Sequence, residues 1–576
     1  MFSPHGLSRI GIALFFSQCA IGVEGTTPAI PRAQKDSAII DLGYALYRPT
    51  SFNETGQYYN FSNIRYAAPP LGDLRFADPQ PPLQEDRHKV NDGSVGFTCP
   101  QAIPAWAVSN TTTNTGSPVT TGLSGEAESE DCLFLDVIVP AKVFQNREPS
   151  GKKLAKRWDL APVLFNIFGG GFYSGDKAGF YKPQGLLERS QDSFVYVSIN
   201  YRLGAFGFLS NLEKSQGNTT SPNAGFLDQR LALKWVQKNI HLFGGDPSQV
   251  TIIGESAGGS SVVYHTVAYG GSKPDENKLF KQIISQSAGV EPVYPEQASI
   301  GANLFLQTAG VTSVDEARKL PTEKLQEANK KANAAIPFLV MSFAPGVDGD
   351  IIPDLPLRLM NAGKFNKELN VIAANNNRET GVSVGTSTTT DAAIKTYLDT
   401  NLPAASQEIK DYIFNVLYPP LPQTDLPYTT NSERLQLMRK EQTLSCGSYH
   451  IAKAFENKTH NYIFSIPPAI HAQDLAYTYY PTNPTIGFYP ERAVQLQQYL
   501  VNFVGKGDPA AAGQTEWPIW GDQANAVNIT VEGITQVQDD QSNPRCAWWN
   551  QALYRPATIA TTADNAQRRR RSRISS

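Results

Sequence analysis

The sequence predicts an α/β fold: a mostly parallel central sheet with helices on both faces. Two observations carry this. Strand-like runs of β-branched residues alternate with helix-like ones, and the middle of the chain has a strand–helix–strand order. No internal repeat is visible and no long linker divides the 576 residues, a length ample for a large buried core. Hydrophobic residues at 41% with charged residues at 18% exclude a disordered, coiled-coil or collagen-like chain. Fifty basic against 53 acidic residues, a net charge of −3, argue against a nucleic-acid partner.

Residues 1–25 read as a secretory signal. His5 and Arg9 precede the apolar run Ile10–Val23, which is too short for a stable membrane anchor, and small residues from Ala20 to Gly25 suit cleavage. Six Asn-x-Ser/Thr triplets, at Asn53, Asn60, Asn110, Asn218, Asn457 and Asn528, suit a glycosylated surface. Once the signal has taken Cys19 with it, Cys99, Cys132, Cys446 and Cys546 remain. In an oxidising compartment these predict two disulfides, with three connectivities open. The expected location is therefore extracellular. Thr-rich residues 109–125 and residues 382–391 read as exposed loops, and 561–576, with Arg568–Arg571, as a disordered basic tail.

Three strands are legible in order: Val163–Phe168, ending in three glycines, then Val195–Asn200 and Val250–Ile253. Between the last two, Leu227, Leu231 and Trp235 at i, i+4 and i+8, with Ile240 on a neighbouring row, predict a helix. After the third strand comes Gly254-Glu255-Ser256-Ala257-Gly258, then a run that can continue as a helix. A strand–turn–helix elbow of this kind exposes a serine on a strained turn, and the helix N-terminus directs free amides at charge forming nearby. Ser256 is the candidate nucleophile.

A serine hydroxyl needs a base. Seven histidines are available. His5 leaves with the signal, His88 sits in a charged run, and His241 lies between a helix and a Gly-Gly turn. The elbow helix carries His265 away from the site, while His450 and His460 bracket a polar, helix-like segment. His471 follows the apolar run beginning at Tyr462, in a loop where α/β sheets present catalytic groups. By elimination it is the candidate base.

The chain resembles the type-B carboxylesterase/lipase family, which includes the cholinesterases and secreted fungal lipases. The blocks that carry the likeness are Tyr66–Gly72 with Leu74–Phe76, Glu128–Val137, Phe168–Gly175, Asn200–Phe208, Asn223–Gln229, Phe243–Pro247 leading into the serine motif, Ile284–Gly289, and Cys546–Gln551. Their order covers nearly all of residues 40–555. The resemblance implies an α/β-hydrolase fold as a single catalytic domain over 26–560. It places the nucleophile on Ser256, the base on His471 with Asp474 three residues on, and the oxyanion hole on the amides of Gly170, Gly171 and Ala257. The family's acid is a Glu followed by Gly after a strand. Counting forward from the strand puts it on Glu379, with Thr380 replacing the glycine. Counting back from Gly381 puts it on Thr380, which cannot stabilise an imidazolium.

The resemblance also implies that Cys99 pairs with Cys132, closing a lid loop (99–132), and Cys446 with Cys546. The enclosed segment carries Pro100, Pro104, many Thr and the triplet at Asn110 beside the apolar Ile103, Trp106 and Val108, which favours soluble esters over lipid surfaces. The expected reaction is acyl transfer from a small-molecule ester to water, and no metal-ligand spacing or dinucleotide fingerprint implies a cofactor. An interfacial triacylglycerol lipase and a non-catalytic extracellular binding protein on the same scaffold are the alternatives. The sequence leaves the oligomeric state open.

Overall fold

The computed structural model describes residues 38–108, 127–147, 160–210, 220–337, 340–379, 390–481 and 488–555. The stretch read as a signal, the Thr-rich segment, the basic tail, Thr380, and residues 382–389 lie outside the described residues, as do the triplets at Asn110 and Asn218. The other four triplet asparagines are half-buried. At the end of the segment read as a loop over 382–391, Thr390 caps the helix Asp391–Asn401, its hydroxyl accepting from the Ala393 amide.

Eleven strands form one sheet: β1 (Ser51–Asn53), β2 (Tyr58–Arg65), β3 (Phe134–Pro140), β4 (Ala161–Ile167), β5 (Val195–Ile199), β6 (Gly245–Glu255), β7 (Gln282–Gln286), β8 (Asn370–Asn376), β9 (His460–Phe464), β10 (Asn525–Ile529) and β11 (Ile534–Gln538). Their spatial order is β11-β10-β9-β8-β7-β6-β4-β5-β3-β2-β1. The seven strands from β10 to β5 run parallel, and β11, β3, β2 and β1 add antiparallel pairings at the margins. The central strands carry no inside–outside alternation: every residue of β5 and β7 is buried. That is the pattern of parallel strands covered on both faces, whereas β2 largely alternates between buried and half-buried positions.

Helix α1 (Ala224–Asn239) bridges β5 and β6, and α2 (Ala257–Val267) follows β6. In α1 the most buried row is not the apolar row read in the sequence. Trp235 is buried, but Leu227 and Leu231 are only half-buried, and the deepest row runs through Phe226, Leu233 and Val236. Ion pairing explains the rotation. Asp228 accepts from the Arg202 guanidinium at 2.8 and 2.7 Å, and Arg230 donates to Glu276 at 2.7 Å, so the polar side of the helix is drawn inside with its partners.

Two disulfides join Cys99 to Cys132 and Cys446 to Cys546, with Cα atoms 5.0 and 5.2 Å apart. Cys446 opens α3 (Cys446–Ala454), and Cys546 lies on the helix Pro544–Trp549.

Candidate active site

Five adjacent strands deliver the site. β4, β6, β7, β8 and β9 are parallel neighbours, so their carboxyl ends lie along one edge of the sheet. The loops that leave those ends begin with Phe168, Ser256, Ser287, Asn377 and Ser465. This edge is where open parallel sheets hold their ligands.

Ser256 sits between β6 and α2 with φ 57° and ψ −121°, a region that side-chain-bearing residues avoid. The turn is held from both sides: the Ser256 amide donates to the Gln286 carbonyl on β7 at 3.0 Å, and the Ser260 amide donates to the Ser256 carbonyl at 2.8 Å. Gly258 permits the elbow because a Cβ there would lie 2.1 Å from the Ile167 carbonyl oxygen.

His471 reaches the serine from the loop after β9. Its Nε2 lies 2.9 Å from Ser256 Oγ, and its Nδ1 lies 2.6 Å from Glu379 Oε2. A carboxylate only accepts, so Glu379 places the ring proton on Nδ1 and leaves Nε2 to accept from the serine. Glu379 is itself held by two donors on its other oxygen, the Asn376 amide at 2.6 Å and Ser287 Oγ at 2.7 Å. The forward count from β8 therefore places the carboxyl beside the imidazole. Among the described histidines His471 is the one that meets Ser256: His265 is buried against Gln229 and Arg230, and His460 opens β9.

The three glycines after β4 form a cradle. Tyr201 donates to the Phe168 carbonyl, the Gly169 amide donates to Tyr181 Oη, and the Tyr173 and Ser174 amides donate to the Gly170 carbonyl. Among the described residues the Gly170, Gly171 and Ala257 amides have no such partner, which leaves them for an incoming oxygen. Gly170 has φ +118°, and a Cβ on it would lie 2.2 Å from the Ser174 carbonyl oxygen, so no other residue fits without strain. Trp106, on the segment after Cys99, meets Tyr173 edge-on at 6.5 Å and walls this side.

The electrostatics hold what the sequence reading missed. Glu255, the residue before the serine, is 2% exposed, and its Oε1 lies 3.4 Å from His471 Nε2 without a hydrogen bond. Burial pushes Glu255 up to about 8; His471 opposes the rise, while Asp474 and Glu379 add to it. For His471, burial works against the charge, but Glu255, the bonded Glu379 and Asp474 outweigh it and hold the imidazole up at about 9. Asp474 is fully buried and raised by burial, against the donors Tyr462 Oη at 2.6 Å and Asn376 Nδ2 at 3.0 Å. The acidic residue of the serine motif was visible in the sequence. That its carboxyl points back at the base was not.

A family model described as "Carboxylesterase family" matches residues 47–549. The chain belongs to the carboxylesterase family. It is 36% identical over 558 residues to "Carboxylesterase patB" of Aspergillus clavatus, covering 92% of this chain and 98% of that protein. "Lipase 1" of Geotrichum candidum is 28% identical, with 91% of this chain and 98% of the relative covered. Among solved structures, that of Aspergillus niger EstA superimposes with a TM-score of 0.73 at 25% identity, over 89% of this chain and 98% of that one. This carboxylesterase is thus a carboxylic ester hydrolase on the α/β-hydrolase fold, and the expectation drawn from the motif blocks holds.

Proposed function

We propose that this carboxylesterase is a secreted enzyme that hydrolyses soluble esters through an acyl-enzyme on Ser256. The observation that carries the reading is the continuous line Ser256 Oγ–His471 Nε2–Glu379 Oε2, with separations of 2.9 and 2.6 Å. Ser256 attacks the ester carbonyl as His471 takes its proton, and the amides of Gly170, Gly171 and Ala257 receive the oxyanion. His471 then protonates the leaving alcohol, and water repeats the sequence on the acyl-enzyme. Glu379 orients the ring and stabilises the imidazolium.

Secretion is supported by the apolar run Ile10–Val23, the Asn-x-Ser/Thr triplets and the two disulfides. Preference for soluble esters rests on Pro100 and Pro104 and on the polar, Thr-rich sequence that follows Trp106. Among the described residues no helix is long and apolar enough to cross a membrane.

Replacing Ser256 by Ala is expected to lower ester turnover by ~10⁴-fold or more and to abolish labelling by a fluorescent phosphonate. Wild-type turnover in that variant overturns the reading. Hydrolysis of p-nitrophenyl esters of graded chain length, below and above their solubility limits, tests the substrate class. A jump in rate above the limit would favour the interfacial lipase, a reading to which the Geotrichum candidum relative's name points.

A further inference from the structure

Behind the acid of the site stands a second layer that the Ser256–His471–Glu379 line does not use, and one side chain connects all of it. Asn376 is the last residue of β8 and is wholly buried. Its amide N–H donates to Glu379 Oε1 at 2.6 Å. Its side-chain Nδ2 lies 3.2 Å from Ser287 Oγ and 3.0 Å from Asp474 Oδ1. Every N–H this residue owns is therefore spent on the two carboxyls or on the hydroxyl between them.

The directions of these bonds can be worked out. Asp474 accepts on Oδ2 from Tyr462 Oη at 2.6 Å and from Gln286 Nε2 at 3.2 Å, and its Oδ1 needs a donor, which only the NH₂ end of the Asn376 amide supplies. The other hydrogen of that NH₂ then points at Ser287 Oγ. Ser287 has a single proton; with its oxygen accepting from Asn376, that proton goes to Glu379 Oε1, 2.7 Å away. Asn376 Oδ1 is left without a donor, so the orientation is chosen by the acceptors around the nitrogen. The strand end thus sets which way the hydroxyl just past the neighbouring strand points, and ties the loop of His471, through Asp474, to the loop of Glu379.

We propose that Asn376 is a positioning residue for ester hydrolysis: it directs the Ser287 hydroxyl onto Glu379 and locks the Asp474 end of the histidine loop to β8. The inference rests on the triad reading given above. Asn376 touches neither the substrate nor the reacting atoms, so its removal acts on turnover and leaves ester binding intact.

The test replaces Asn376 by Leu, which has similar size and no donors, and in parallel by Ala. With a soluble p-nitrophenyl ester, kcat is expected to fall about 10- to 100-fold, the range for losing one hydrogen bond to a charged acceptor, while KM stays within about threefold. Asp474, short of a donor, becomes more readily neutral, so the imidazolium loses support. The acid limb of the kcat profile is expected to move to lower pH by about half a unit or more. Ser287→Ala should reproduce most of the loss in kcat, and the Asn376→Leu, Ser287→Ala double variant should cost little more than the worse single one, because both act through one bond. Unchanged kcat and an unmoved acid limb, or fully additive losses, would overturn the proposal, even with a lowered unfolding temperature. If the Leu variant does not fold, the Ala variant and the Ser287→Ala profile decide by the same criteria. Ser256→Ala separates the two levels. Full turnover there sinks the triad reading and this inference together, whereas a dead Ser256→Ala beside wild-type behaviour at position 376 sinks this inference alone.

Discussion

The carboxyl of Glu255 offers the sharpest test of the site's electrostatics. Replacing Glu255 by Gln keeps the shape and removes the charge. At 3.4 Å from His471 Nε2, and with an effective dielectric near 20, a full carboxylate–imidazolium attraction is ~5 kcal/mol, or more than three pH units of support for the protonated base. The realised effect is smaller, because burial keeps Glu255 itself protonated up to about 8, and a neutral carboxyl gives no such support. A shift of about 1–2 units remains. The sign follows from the charge: with Gln, the imidazolium loses a neighbour, the base deprotonates more easily, and activity persists to lower pH. An ordinary histidine would place the acid limb near pH 6–7. The carboxyls around His471 hold its imidazole up at about 9 and so move the wild-type limb above that. The assay is kcat/KM for a soluble p-nitrophenyl ester from pH 5 to 10, which reports the free enzyme, with phosphonate titration to count active sites. An acid limb that stays in place, or moves upward, would refute the reasoning.

Two further outcomes are expected. Glu379→Gln should lose activity severely, by roughly 10³–10⁴-fold, because a neutral amide no longer dictates the His471 tautomer, whereas Thr380→Ala should remain near wild type; parallel kinetics on the two variants would expose the reverse ranking. His450, 3% exposed, is lowered by burial to about 3, against an opposing bond from Asn550. Because its folded value lies below the unfolded one, its neutral form supports stability above about pH 6.5, and that support is lost as pH falls. Relative to His450→Gln, the wild type should lose ~2 kcal/mol between pH 7 and 5, read from urea unfolding at the two pH values; an unchanged gap between the two proteins would refute this.

The residues nearest the chemistry were legible because each belongs to a local pattern. Ser256 is announced by a strand, two flanking glycines and a helix, all within a dozen residues. The glycines after β4 are needed where backbone approaches backbone, and the left-handed φ of Gly170 enforces the choice. His471 was reached by elimination, and Glu379 by counting from a strand, because both lie in loops whose positions depend on where their strands end. The buried row of α1 departs from its apolar row because hydrophobic periodicity does not register that Asp228 and Arg230 find partners in Arg202 and Glu276, residues distant in sequence.

The amino-acid order by itself determined a parallel sheet, a serine elbow, and which residue types could act as base and acid, since propensity, periodicity and turn chemistry are local properties of the chain. Only tertiary structure decided how those groups meet. The order β9-β8-β7-β6-β4 brings five strand ends side by side, and with them an imidazole within reach of the serine, a buried carboxyl beside both, and an asparagine joining two acids. Hydrogen-bond directions depend on distances of a few ångströms between residues remote in the chain, and no pattern along the sequence encodes those.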